Sequence, residues 1–119
     1  MASVFRTASD WPEADYRKQV TTTLDRVSRA FEEIDPDQVE CELRFGVLTL
    51  IFPNRTKIIL SAQPAVRQLW LALAAQGTAY HFGWDAGRSE WRDDKGRDVE
   101  VLALLSEVLE KSAGIKIQF

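Results

Sequence analysis

Apolar residues recur every three or four positions in the first third of the chain. Tyr16, Val20, Leu24, Val27, Phe31 and Ile34 make one stripe. That period belongs to an amphipathic helix with one buried face. Its start falls near Ser9-Asp10-Trp11-Pro12. There Ser9 or Asp10 can cap it, Pro12 suits an early helical position, and Glu13 and Asp15 suit the first turn. Asp35-Pro36-Asp37 ends the helix, because proline disfavours helical geometry at the residue before it.

Beyond Pro36 the period drops to two. Val39, Cys41 and Leu43 point one way, and Glu40, Glu42 and Arg44 the other. Phe45-Gly46 is a tight turn, and Val47 to Phe52 is the next strand, with Leu48, Leu50 and Phe52 inward. Pro53-Asn54-Arg55 turns again, and Thr56 to Leu60 pairs back. Three short strands with short turns predict an antiparallel meander. Ser61 to Arg67, with Pro64 inside it, reads as a loop. Gln68 to Leu73 makes a fourth strand with Leu69, Leu71 and Leu73 inward, although its leucines and alanines would equally suit a helix. Tyr80 to Trp84 and Glu90 to Arg92 follow, joined by the Asp85-Ala86-Gly87 turn. After Asp94-Lys95-Gly96, Asp98 is a good cap for a second helix from Val99 to about Ser112. Its buried face holds Val101, Leu102, Leu105, Val108 and Leu109, and Gly114 stops it. Ile115, Ile117 and Phe119 then extend along one side.

Helix, strands, helix predicts an α+β fold. It is a two-layer sandwich with both terminal helices on one face of a mainly antiparallel sheet of about five to six strands. The chain has 119 residues, 45% hydrophobic and 28% charged, which suits a single soluble domain over 1–119 with residues 1–10 as a disordered stretch or a helix lead-in.

Charge and composition narrow the chemistry. Lys+Arg number 15 against 18 Asp+Glu, a formal net charge of -3, so a phosphate backbone is a poor partner and no nucleic-acid partner is expected. No apolar run approaches the roughly 18–20 residues of a membrane span, and Met1 to Asp10 has neither signal-peptide nor transit-peptide character. A cytoplasmic protein without a membrane partner is expected. The single Cys41 and single His81 cannot build a Cys/His metal site or a thiol mechanism. No nucleophile–base–orienter set and no glycine-rich phosphate loop is present, so an enzyme with a buried active site is the weaker class.

The strongest local signal is acidic. From Phe31 to Glu42 the chain carries Glu32, Glu33, Asp35, Asp37, Glu40 and Glu42 with no Lys or Arg between them. Carboxylates offer hard oxygen ligands to Fe²⁺, Mn²⁺, Mg²⁺ or Ca²⁺ and do not choose among them. Spacing alone admits a second reading, a solvated acidic face without a ligand. Acids at a helix C-terminus oppose the dipole, so this placement does not serve stability. A second feature is Trp70. If Leu69 and Leu71 face the core, Gln68 and Trp70 stand on the helix-free face with Val47, Ile51 and Ile59, where a tryptophan in an apolar patch suits a protein partner. The competing reading is a Trp70 covered by a loop, or the opposite parity. His81 reads as an outward surface residue, Cys41 as a small core residue, and Trp84 and Trp91 as core or hairpin aromatics. Asp93, Asp94 and Asp98 are interleaved with Arg92, Lys95 and Arg97 and read as a balanced turn region.

Val39-Glu40-Cys41-Glu42-Leu43, Gly46-Val47-Leu48-Thr49-Leu50, Lys57-Ile58-Ile59-Leu60, Gln68-Leu69-Trp70-Leu71-Ala72 and Tyr80-His81-Phe82, in that order behind an acidic helix, resemble the frataxin family in its bacterial branch. The likeness runs from about Tyr16 to the C-terminus. It implies the same two-helix sandwich and a non-enzymatic, monomeric, iron-binding adaptor or regulator of iron–sulfur cluster assembly. By that resemblance Glu32, Glu33, Asp35, Asp37, Glu40 and Glu42 bind Fe²⁺ or Fe³⁺ weakly and dock on a basic surface of the cysteine desulfurase. Gln63, Gln68 and Trp70, with Ser61 where the family often has Asn, meet the iron–sulfur scaffold protein. The chain departs from the family pattern at Arg26, Ser28 and Arg29, where more acids are usual, at Arg55 in place of a glycine, and at Pro64, one position early. A ferroxidase forming an iron-storage oligomer and a metal-free interaction domain are the alternatives.

Overall fold

A computed structural model describes residues 4–119. The elements run α1 (Glu13–Ala30), β1 (Glu40–Arg44), β2 (Val47–Ile51), β3 (Lys57–Gln63), β4 (Gln68–Leu73), β5 (Thr78–Asp85), β6 (Glu90–Asp93) and α2 (Val101–Ala113). The six strands form one sheet in sequential order, every neighbouring pair antiparallel. Leu48, Leu50, Ile58, Leu60, Leu69, Leu71 and Phe82 from the sheet pack with Tyr16, Val20, Leu24, Val27, Leu105 and Leu109 from the helices in one buried cluster. The expected α+β sandwich is therefore present.

The inward parity of every strand follows the period-two pattern, but several boundaries move. Ser61 to Gln63 is not loop. β3 continues through it, with Ser61 opposite both Val47 and Trp70, and Ala62 and Gln63 opposite Leu69 and Gln68 of β4. Ladder pairing with β4 overrides the weak strand preference of these polar residues. Only Pro64–Val66 remains, a single 3-10 turn closed by Arg67 in the left-handed region. The two-residue Phe45-Gly46 turn has positive φ at both positions (48° and 77°), the hairpin geometry that matches strand twist.

The helix ends differ too. Pro12 is the N-cap of α1 and no side chain caps it. Asp10 instead accepts from the Thr7 backbone N–H at 2.7 Å, and Ser9 bonds the Thr7 hydroxyl, so both close a preceding turn. At the other end α1 stops at Ala30, and a 3-10 turn over Phe31–Glu33 keeps Phe31 in the core. α2 starts two residues later than expected. Glu100, not Asp98, caps it, accepting from Leu102 N at 2.7 Å and Ala103 N at 3.1 Å. Asp98 has φ 50° and turns its carboxylate to Arg92 at 2.6 Å. Leu104 joins the buried face, whereas Leu102 is half-buried. Gly114, at φ 65°, ends the helix as expected.

Two polar contacts lock the layers together. The Tyr16 hydroxyl donates to Gln68 O at 2.6 Å and accepts from Gln63 N at 2.9 Å, tying α1 to the facing ends of β3 and β4. Trp91 donates to the buried Thr23 hydroxyl at 3.1 Å. Trp11 stacks on Trp84 (5.9 Å, 20°) and leans on Trp91, closing the end of the sandwich under the start of α1. Beside it, Phe5 bridges Asp85 in antiparallel fashion, and Arg6 N donates to Trp84 O at 2.9 Å.

Candidate functional site

Helix termination decides where the acids go. Glu32 and Glu33 lie on the 3-10 turn, Asp35 and Asp37 in the following turn, and Glu40 and Glu42 on the outer face of β1, the edge strand. All six are exposed. Asp35 orders its own turn by accepting from Asp37 N at 2.9 Å. Among the described residues none of the six has an ion-pair partner within 4.0 Å. The salt bridges lie elsewhere, at Arg6, Arg17, Arg88, Arg92, Arg97 and Lys111. Arg26 donates to the Phe119 carbonyl at 2.5 Å and leaves the strip unpaired.

The acids form a strip and not a cage. Among the described residues no three Asp, Glu, His or Cys side chains come together as a metal-holding group. Exposed carboxylates that do not converge leave water competing at each ligand position. Carboxylate oxygens suit hard cations without choosing among them, and the strip lacks the convergence of a tight resident site.

The second set does converge. The helix-free face has a cross-strand row running Val47, Ser61, Trp70, His81. The next row runs Gln63, Gln68, Gly83, Arg92. The four sequence candidates Ser61, Gln63, Gln68 and Trp70 thus occupy adjoining positions in these two rows. Gln63 Nε2 donates to the Ser61 hydroxyl at 3.3 Å, and Trp70 Nε1 donates to Gln68 Oε1 at 2.8 Å. Trp70 is half-buried, because its ring lies flat on His81 at 4.1 Å and 12°. Val47 is 38% exposed and Phe45 fully so, which extends an apolar margin from this row to the β1–β2 turn. Glu40 and Glu42 share the outer parity of the same sheet, so the acidic strip borders this face.

Sequence reasoning missed two members. His81 is the stacking partner of Trp70, and hairpin arithmetic could have found it. A turn centred between Leu73 and Thr78 places 70 opposite 81. Asp94 accepts from Gln68 Nε2 at 2.6 Å, a pairing across 26 residues that no local pattern encodes. Its neighbour Asp93 is buried, not a surface turn residue, and is bound by Arg97. Cys41 is half-buried against the core, where burial pushes its thiol upward despite the Ser28 hydroxyl, so it is a packing residue. No helix of the described residues is long and apolar enough to cross a membrane.

A frataxin-like domain model matches residues 9–115. The iron–sulfur cluster assembly protein CyaY of Paraburkholderia phytofirmans is 37% identical over 107 residues, covering 90% of this chain and 96% of that protein. The CyaY of Tolumonas auensis is 34% identical over 105 residues, covering 88% and 95%. In structure the chain is similar to the frataxin of Psychromonas ingrahamii, with a TM-score of 0.79 at 24% identity over 91% of this chain and 97% of that one. It is also similar to the trimeric frataxin of Saccharomyces cerevisiae complexed with ferrous iron, with a TM-score of 0.57 at 28% identity over 87% and 86%. The meander, the helix pair on one face and the extent of these matches agree, and the chain belongs to the frataxin-like CyaY family of iron–sulfur cluster assembly proteins.

Proposed function

We propose that this chain is a non-catalytic, iron-binding adaptor of iron–sulfur cluster assembly that works as a single-domain monomer. Glu32, Glu33, Asp35, Asp37, Glu40 and Glu42 take Fe²⁺ or Fe³⁺ weakly and dock on a basic surface of the cysteine desulfurase. Trp70, Gln68, Gln63 and Ser61 meet the scaffold protein. The observation that carries this reading is the unneutralised acidic strip bordering an aromatic, helix-free sheet face. Weak, water-contested ligation suits delivery or sensing. A mineralising store would need convergent carboxylates, and the described residues hold no such group. Ion and partner draw on the same charges, so each tunes the binding of the other.

Anaerobic titration with Fe²⁺, followed by amide NMR, tests the metal half. Signals of residues 32–42 should broaden or shift while those of α2 stay in place, and an unmoved strip would end the iron claim. A triple Glu32→Lys, Glu33→Lys, Asp35→Lys variant tests the docking half. It should lose desulfurase binding, and unchanged binding would remove that half alone.

A further inference from the structure

Three polar groups on the helix-free face form a directed chain. Trp70 Nε1 donates to Gln68 Oε1 at 2.8 Å, and Gln68 Nε2 donates to Asp94 Oδ2 at 2.6 Å. The direction is chemically forced. An indole N–H only donates, a carboxylate only accepts, and a glutamine amide can present either end. Asp94 therefore selects the nitrogen of Gln68 and leaves its oxygen for Trp70. Without an acceptor at the far end the amide could turn over, and its NH₂ would then face the indole N–H, donor against donor.

Asp94 is itself held. Its backbone N–H donates to His81 O at 3.0 Å, so it is tied to the residue on which the Trp70 ring lies. The nearby Arg97 guanidinium is committed to Asp93 at 2.8 Å and to the Tyr80 ring at 3.9 Å, which leaves Asp94 to Gln68. The second Asp94 oxygen, Oδ1, is buried and without a hydrogen-bond partner among the described residues. A buried acceptor of that kind is costly to keep, and packing alone would favour an apolar residue there.

We infer that Asp94 is a positioning residue for the Trp70 surface: through Gln68 it fixes the edge of the indole while His81 fixes its plane. The inference rests on the reading that a scaffold partner docks on this face. Its consequence is specific. The indole N–H is consumed internally, so the partner meets a flat ring already in place and not a free donor. A ring ordered beforehand costs the complex less side-chain entropy on binding.

The test uses the full chain labelled with ¹⁵N. Asp94→Leu removes the acceptor and keeps the branched outline of the side chain, in a larger volume. It should shift the Trp70 indole N–H signal and speed its exchange with solvent about tenfold, the scale of one ordinary hydrogen bond. The Trp91 indole signal, bonded to Thr23 on the other face, should not move. Asp94→Asn retains an acceptor oxygen and should restore protection, which a loss of packing would not. Scaffold affinity should fall several-fold for Asp94→Leu and return with Asp94→Asn. Gln68→Leu breaks the same chain in the middle and replaces Asp94→Leu if that variant fails to fold. An unmoved Trp70 signal overturns the relay. A moved signal with unchanged scaffold affinity overturns the positioning role and leaves the docking reading intact. Unchanged affinity in Trp70→Ala overturns the docking reading itself, whatever the indole signal does.

Discussion

Asp93 and Asp94 are neighbours in the chain whose carboxylates have different work. The Asp93 side chain is fully buried and accepts from Lys95 N (2.9 Å), Arg97 N (3.0 Å), Arg97 Nε (3.1 Å) and Arg97 Nη2 (2.8 Å). Burial pushes its carboxyl upward. The Arg97 guanidinium and the two backbone N–H groups outweigh that and hold it below the usual 3.8. A depressed folded-state value stabilises the fold above the unfolded value and loses that stabilisation as pH falls through the folded one. Asp93→Asn should therefore cost about 2 kcal/mol at pH 7. That is less than the ~3–5 kcal/mol of a fully buried pair, because Arg97 is partly exposed and the amide keeps some bonds. The gap between variant and parent should begin to narrow below about pH 4, where the unfolded chain's carboxyl takes up its proton, and should close as pH falls through the lower native value. Urea unfolding at pH 7 and pH 3 measures both, and a gap that is constant across pH would refute the linkage. None of this was legible in the sequence. The interleaving of Arg92, Lys95 and Arg97 with three aspartates records that charge balances, but not which carboxylate is deep. Depth depends on how the β6–α2 turn folds back onto β5.

Elements were more legible than their edges. Strand parity follows from a period of two that burial enforces, so Leu69, Leu71 and Leu73 were placed inward correctly and Trp70 outward. Boundaries depend on pairing partners, which is why β3 outran its expected end and why Asp98 lost the α2 cap to Glu100. The sequence offers the N-terminal segment, residues 1–10, only as a disordered stretch or a helix lead-in, and residues 1–3 lie outside the described residues. Its described portion pairs with the end of β5, with Ala86 N donating to Val4 O at 3.4 Å. Phe5 lies over Gly83, where an added Cβ would come within 2.8 Å of the ring. The glycine leaves the space that the aromatic fills. Phe5→Ala should lower stability by about 1–2 kcal/mol for a half-buried ring, at about 4 °C in Tm per kcal/mol for a domain of this size. Gly83→Ala should cost a similar amount by displacing the ring. The double variant should be no worse than either single one, because both remove the same contact. Additive losses in calorimetry would show that the two residues act separately.

At the scale of the molecule, net charge says less than its placement. A formal charge of -3 on 119 residues is unexceptional, yet six acids stand together along one edge of a body 45 Å long, without ion-pair partners among the described residues. Such a strip acts at a distance, and its reach is set by salt. The Debye length is ~10 Å at 0.1 M and ~3 Å at 1 M. The Trp70–His81 face acts only on contact. The two surfaces should therefore separate kinetically. Association with a basic cysteine desulfurase surface should slow about tenfold between 50 and 500 mM salt, mostly through the on-rate. Glu40→Lys together with Glu42→Lys should flatten that dependence, since each substitution removes an attraction and adds a repulsion. Scaffold binding at the sheet face should respond to Trp70→Ala mainly through the off-rate, with little change in its salt slope. Stopped-flow measurements on both partners at three salt concentrations distinguish these cases. If the desulfurase on-rate ignores salt, the acids do not steer it. If Trp70→Ala changes the salt slope of the scaffold as strongly as the charge variants change that of the desulfurase, the strip and the aromatic face are one surface and not two.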